Sequence, residues 1–258
     1  MTLPLDGKRI LVTGAATGMG ASTVTAYAKA GARVAAWYRL RGPEAVAATL
    51  APDEAERVAF FRRDVTEKAD VDAGVAEAVA WLGGLDVLVN AAGISPGAPA
   101  EEITLDAWEE VMAINARGTF LSNQAVFAHL KDHGGKIINF ASAAGVTGLF
   151  NKAHYAASKG AVLAWTRTLA QEWGQYAITV NAIAPAIWTP MYDRTRAAYT
   201  PAQLAAHDAF MKKAIPLGGK LGDPDRDFAP MMIFLAGDGA NFLTGQTYAI
   251  DGGALMVR

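Results

Sequence analysis

Tyr155 and Lys159 stand four residues apart in YAASK, a stretch with helical spacing, so their side chains share one helix face. Ser142 follows the apolar run KIINFA, and NAAG (Asn90–Gly93) closes another apolar run, DVLVN. A hydroxyl, a phenol and an ammonium together can hold an oxygen and move a proton. Each is unremarkable alone, because a lone helical tyrosine usually belongs to the core. Their order behind a glycine-rich turn is not. TGAATGMG (Thr13–Gly20) follows the run ILVT directly and opens a helical pattern. Gly14, Gly18 and Gly20 permit positive φ and close backbone approach. A helix starting near Gly18 then aims free N–H groups at a pyrophosphate. That placement predicts dinucleotide binding.

The end of the second apolar run decides which dinucleotide. An acid about 20 residues beyond the glycine loop would accept from the ribose 2′-hydroxyl of NAD. That place holds Tyr38, then Arg39, with Arg41 close by. A guanidinium suits a 2′-phosphate, which an acid would repel. NADP is therefore expected over NAD; the bland alternative is a solvated surface arginine.

The elements that must position these groups are legible as alternating runs. Ile10–Thr13, Val34–Trp37, Val58–Phe61, Asp86–Asn90, Lys136–Ala141, Ile178–Ile183 and Thr247–Ile250 read as strands. They are continuously apolar, as parallel strands covered on both faces are. Helical spacing fills Ala21–Ala30, Lys68–Leu82, Leu105–Leu130 and Ala156–Gly174. The pattern predicts an α/β fold: one Rossmann-like, doubly wound parallel sheet of about seven strands, with helices on both faces. No linker divides it, so residues 1–258 are expected to form a single dinucleotide-binding domain. The least regular stretch, about 187–222, holds three prolines and several aromatics and is expected to be a substrate lid.

Composition excludes several classes. The 23 Lys plus Arg nearly balance 25 Asp plus Glu, leaving no electrostatic footprint for nucleic acid or an anionic membrane. Only 19% of residues are charged, below the usual share of about 25%, which hints at extra buried surface or subunit contacts. The chain has no cysteine, so disulfides, thiolate metal sites and a cysteine nucleophile are out. No apolar run is long enough to span a bilayer, and MTLPLDGKRI lacks the pattern of a signal peptide. A cytoplasmic protein is expected. G-I-S-P-G (Gly93–Gly97) matches the serine-hydrolase elbow, but Pro96, Gly97 and Pro99 argue against the helix such an elbow needs. No tight ligand cluster predicts a metal. His154, beside Tyr155, should point to another helix face and be structural or at a cleft edge.

With these pieces in place, the sequence resembles the short-chain dehydrogenase/reductase family over nearly its whole length. The matching motifs are TGAATGMG, Asp64-Val65, NAAG, N-A-R-G (Asn115–Gly118), Ser142, Y-x-x-x-K, N-A-I-A-P (Asn181–Pro185) and DGG (Asp251–Gly253). The resemblance implies a nicotinamide cofactor and reversible alcohol/carbonyl oxidoreduction. Tyr155 would be the general acid or base. Its ordinary pKa of about 10 would be lowered by the Lys159 ammonium and an oxidised nicotinamide ring. Ser142 would hold the substrate oxygen. By resemblance, Lys159 also holds the nicotinamide ribose and Asn115 supports a proton-relaying water, unless Asn115 is only structural.

The same resemblance places Gly14, Thr17, Gly18, Met19 and Gly20 against the cofactor phosphates, with Tyr38 and Arg39 beyond them. Asp64 would meet the adenine amino group with Val65 packing nearby, although Asp64 also suits a helix N-cap. Asn90, Ala91 and Gly93 would line the adenosine ribose and the pocket floor. Pro185, Ile187 and Thr189 would meet the carboxamide end, with Ile187 and Trp188 both candidates because Ala186 stands where the family usually has glycine. Thr17 stands where NADP-preferring relatives often carry a basic residue.

The substrate is expected to be a small ketone or secondary alcohol. Phe150, His154, Trp188, Met191, Tyr192 and Tyr199 would line an aromatic cleft, or in part pack the lid. An NAD-dependent alcohol dehydrogenase and a non-catalytic nicotinamide-binding regulator are the competing readings. The apolar helices at Leu105–Leu130 and Ala156–Gly174 imply a homo-oligomer, a homotetramer by resemblance.

Overall fold

A computed structural model describes residues 3–256. The chain alternates β1 (Arg9–Thr13), α1 (Gly18–Lys29), β2 (Arg33–Tyr38), the short α2 (Glu44–Ala47) and α3 (Pro52–Ala55), then β3 (Val58–Arg62), α4 (Lys68–Leu82) and β4 (Val87–Asn90). The second half runs α5 (Leu105–Val111), α6 (Gly118–Leu130), β5 (Gly135–Phe140), α7 (Ala144–Thr147), α8 (Ala153–Trp173) and β6 (Ile178–Pro185). It ends with α9 (Pro190–Ala197), α10 (Pro201–Ala214), α11 (Ala229–Ala236) and β7 (Thr247–Ile250). The strands form one parallel sheet in the order β3-β2-β1-β4-β5-β6-β7. The expected doubly wound α/β sheet of seven strands is therefore present.

Alternate residues of each inner strand feed opposite core layers, as the pleat demands. Ile10 and Val12 of β1 join Tyr27, Phe228 and Met232 on one face; Leu11 joins Val75, Leu82 and Leu130 on the other. Both faces are covered, which is why the strands read as unbroken apolar runs. The two edge strands depart from that reading. Residues of β3 and β7 are largely half-buried, because only one neighbour covers each edge.

Two expectations need correction. Residues 105–130 are not one regular helix: Met112–Arg117 form a π-turn between α5 and α6. The stretch 187–222 is not irregular either, since α9 and α10 occupy most of it. Their prolines, Pro190 and Pro201, stand at helix starts, where a missing N–H costs nothing. Thr200 and Gln203 complete a capping box on α10.

Candidate active site

Strand order reverses between β1 and β4, and the loops after these two strands meet there. Thr13 pairs in register with Asn90, and its hydroxyl accepts from Ala92 N at 3.2 Å. Gly14 lies at φ +65°, and a Cβ there would run into the backbone of Ala91 and Ala92. A Cβ on Gly20 would strike the Gly14 carbonyl. Both glycines are thus required by close packing of the loop on itself and on its neighbour. Ala15 N donates to Trp37 O at 2.8 Å and ties the loop to β2.

The start of α1 is open. Thr17 is its N-cap but makes no side-chain capping bond, and no acid lies in the first turn. The first-turn N–H groups therefore remain available to an anion. In front of them lies a cleft of about 310 Å³ lined by Gly14, Thr17, Tyr38, Arg39, Val65 and Gly93, among others. Arg41 and Arg63 face the same cleft. These residues fit a dinucleotide: uncapped donors for its pyrophosphate and guanidinium groups at the far end.

Several predicted residues take roles that spacing did not show. Arg39 Nη1 lies 3.4 Å from Asp64 Oδ2, and both side chains are partly exposed. Asp64 is not the N-cap of α4, which is Glu67; its Oδ1 instead accepts from Thr66 N and Oγ1 at 3.0 and 2.8 Å. Met19 and Ala91 pack against the core from partly buried positions. Asn90 lies beneath the cleft floor, its amide donating to Asn139 Oδ1 at 2.9 Å. Asn139 in turn bonds Asn123 and Thr166, a buried polar network that nothing in the apolar pattern announced. Ile187 is buried against the core, and Thr189 caps α9. Trp188 N donates to Gly222 O at 2.8 Å, and Gly222 N donates to Ala186 O at 3.0 Å. These bonds set Ile187 opposite Gly222 through its neighbours Ala186 and Trp188, and neither uses the N–H or C=O of Ile187 itself.

Ser142, Tyr155, Lys159 and Asn115 converge at the carboxyl ends of β4 and β5. Gly145 permits this: a Cβ there would collide with the Lys159 carbonyl carbon, so α7, just after Ser142, rests directly on α8. Burial pushes the Tyr155 phenol above its ordinary pKa, and the nearby Ser142 hydroxyl opposes that rise. The expected lowering by Lys159 is not present. Lys159 donates to Phe140 O at 2.6 Å, and its Nζ sits 5.9 Å from the Tyr155 ring centroid. Burial lowers Lys159 to about 8. Asn115, in the π-turn, is fully buried; its Nδ2 donates to Ile94 O and Ser158 Oγ at 2.9 and 3.0 Å, and its Oδ1 accepts from Ile94 N at 2.9 Å. A Cβ on Gly93 would lie 3.2 Å from Asn115 Oδ1 and 3.5 Å from Lys159 Nζ, so this glycine opens the floor between them.

Around the site, Lys152 clasps Ser95 through both its carbonyl and its hydroxyl, joining the loop after β4 to the start of α8. No helix follows Ser95, which removes the hydrolase elbow. Among the described residues no cluster of metal ligands exists, and no helix is long and apolar enough to cross a membrane. His154 is buried and its Nδ1 has no partner. Much of the expected aromatic cleft is packing within and between α9 and α10. Trp188 meets Tyr192 edge-on at 4.8 Å, and Tyr192 Oη bonds His207 Nε2 at 2.7 Å, joining α9 to α10. Tyr199 also packs on His207, while Phe150 and Met191 are exposed.

Residues 14–254 match the family model described as enoyl-(acyl carrier protein) reductase. The chain is 41% identical over 251 residues to the D-threitol dehydrogenase of Mycolicibacterium smegmatis, covering 96% of this chain and 93% of that one. It is 38% identical to the sorbitol dehydrogenase of Cereibacter sphaeroides, covering 98% and 99% of the two chains. A crystal structure assigned as a short-chain alcohol dehydrogenase from Sinorhizobium meliloti 1021 superposes with a TM-score of 0.87, at 32% identity and 98% coverage of both chains. With the dinucleotide cleft and the Ser142, Tyr155 and Lys159 set already in view, these likenesses place the chain in the short-chain dehydrogenase/reductase family, as a nicotinamide-dependent oxidoreductase acting on alcohols.

Proposed function

We propose that this enzyme is an NADP-preferring dehydrogenase of small polyhydroxylated secondary alcohols, with Tyr155 as its general base in oxidation and general acid in reduction. The observation that carries the reading is the meeting of Ser142, Tyr155 and Lys159 beside the glycine floor at Gly93. The polyol class is supported by relatives named for threitol and sorbitol.

When bound, the nicotinamide accepts or returns the hydride. The protein's residues do the rest. Ser142 Oγ donates to the alcohol oxygen and holds it near the phenol. In oxidation the Tyr155 phenolate takes the hydroxyl proton and becomes the phenol; in reduction the phenol gives its proton to the forming alkoxide and becomes the phenolate. The Ser142 hydroxyl counters part of the burial that raises Tyr155, and the positive charge of an oxidised nicotinamide would counter more of it. Lys159 also binds the cofactor ribose. Asn115 fixes the Ile94 segment, and the remaining lone pair on Oδ1 accepts from a relay water. The Ile187 N–H and C=O, used by neither bond to Gly222, meet the carboxamide, with Pro185 and Thr189 beside them. Gly18, Gly20, Thr17 and Met19 hold the pyrophosphate, and Asp64, Val65, Ala91 and Asn90 frame the adenosine. Residues 187–222 close over the substrate as a two-helix lid.

NADP is supported by Arg39, Arg41 and Arg63 around the cleft and by the absence of an acid at Tyr38. An NAD-linked reading draws on the Arg39–Asp64 contact, which partly neutralises that guanidinium. Dissociation constants for both cofactors, in wild type and Arg39→Ala, test the choice. A charge-assisted bond to the phosphate predicts a loss of about 10- to 150-fold in NADP affinity, with NAD nearly unchanged. Equal weakening of both, or a wild type that already prefers NAD, gives the NAD-linked enzyme. Reduced-cofactor absorbance across threitol, sorbitol, fucose and cyclic secondary alcohols tests the substrate class; turnover of cyclic alcohols alone would overturn it.

A further inference from the structure

Outside the active site, a buried cation with no ion pair lies at the opposite, amino-terminal end of the sheet. There a cavity of about 590 Å³ opens between the starts of β4, β5 and β6 and the loop after α11. Lys136 stands at its wall with only 6% of its surface exposed. Its Nζ donates to the neutral Asn241 Oδ1 at 2.6 Å, and no carboxylate lies within ion-pair distance among the described residues. Burial lowers its pKa; the charge of Asp238 opposes that shift and the charge of Lys8 adds to it.

The surrounding charges are already matched. Lys8 pairs with Asp238 at 2.7 Å, and Arg9 grips Asp86 with two bonds at 2.7 and 3.0 Å. His133 Nε2 is engaged with Leu85 O at 3.1 Å. Lys8 and Lys136 line the cavity with Asp86 and Asp238, but Asp86 is held by Arg9 from behind the wall and Asp238 by Lys8, which leaves the Lys136 ammonium without an ion pair. The rest of the wall is apolar: Val87, Ala177, Ile178 and Ala236 line it, and Phe242 stands fully exposed at the rim. A buried ammonium without a counter-ion is costly, and an anion from solution would relieve it. An isolated aromatic ring at the rim gains by covering an apolar body.

From this geometry we infer a second small-molecule site, separate from the dinucleotide cleft, that takes a monocarboxylate with an apolar tail. The carboxylate meets Lys136 Nζ, and the tail lies along Ala177 and Ile178 under Phe242. One negative charge matches the single surplus positive one; a dianion would meet Asp86 and Asp238 unfavourably.

Calorimetric titration of the full chain with 4-phenylbutyrate tests this. Saturable binding of one molecule per chain is expected, unchanged by excess NADP or by Tyr155→Phe. Lys136→Met should weaken it about tenfold or more. Phe242→Ala, at a fully exposed position that leaves the fold intact, should weaken it several-fold. Alcohol oxidation should persist in both variants, and the neutral 4-phenylbutyramide should not bind. Absence of saturable binding up to about 10 mM, competition by NADP, or equal affinity in wild type and Phe242→Ala would each overturn the proposal.

Discussion

At the scale of single residues, the charge state of Lys159 is the feature with the widest reach. Its ammonium is buried, faces a carbonyl rather than a carboxylate, and titrates near 8 instead of its ordinary 10.5. Between those values the unfolded chain binds more protons than the folded one, so stability rises with pH through that window. The slope is at most about 1.4 kcal/mol per pH unit. Buried Tyr27 and Tyr155, raised above 10, act oppositely at higher pH, because the unfolded chain loses their protons first. The useful quantity is therefore the difference between wild type and Lys159→Met. Urea unfolding of the cofactor-free proteins should show that difference shifting in favour of wild type from about pH 8 to pH 10. Parallel profiles would mean that Lys159 is not held in a low-dielectric site. The YAASK spacing disclosed which face Tyr155 and Lys159 share. It could not disclose that Lys159 turns to Phe140 O, because that contact joins residues brought together only by the sheet.

At the scale of elements, the π-turn at Met112–Arg117 decides where Asn115 points. One extra residue in the turn rotates the side chain toward the loop after β4, where it bonds Ile94 twice and Ser158 once. Asn115→Leu removes all three bonds and leaves buried backbone groups of Ile94 unpaired. At about 1–3 kcal/mol for each unsatisfied group, thermal or urea unfolding should reveal a loss of roughly 2–5 kcal/mol. A loss below about 1 kcal/mol would mean that the Ile94 loop finds other partners.

Most elements were legible because strands covered on both faces are apolar without interruption and the glycine loop follows the first of them. The π-turn was not, since hydrophobic period alone does not distinguish one added residue. Helices α9 and α10 were missed for another reason: Pro190 and Pro201 read as breakers, although both start helices. The Asn90–Asn139–Asn123 network was hidden because its residues lie inside apolar runs and helices and their partners are distant in sequence.

At the scale of the whole molecule, two apolar surfaces lie on different sides of the sheet. On one, Phe120 and Trp165 pack edge-on at 5.3 Å beside a shallow cavity floored by Ala116 and Ala161. On the other, the β7 edge and exposed Met256 line a surface with Met231, where the buried hydroxyl of Tyr248 has no partner. If each surface paired with its own copy, a tetramer with dihedral symmetry would result, and we propose that assembly. Sedimentation should give four times the chain mass, and Trp165→Arg should yield a smaller species. A stable monomer at micromolar concentration would contradict it.

The central claim is that proton transfer runs through Tyr155 in a cofactor site that does not depend on its hydroxyl. Single-turnover and steady-state rates of Tyr155→Phe, measured beside its NADP dissociation constant, test that claim most directly. With Tyr155 as the proton donor and acceptor, kcat should fall about 10²- to 10⁴-fold while cofactor affinity stays within a few-fold of wild type. Retention of more than about a tenth of the wild-type kcat would show that another group moves the proton.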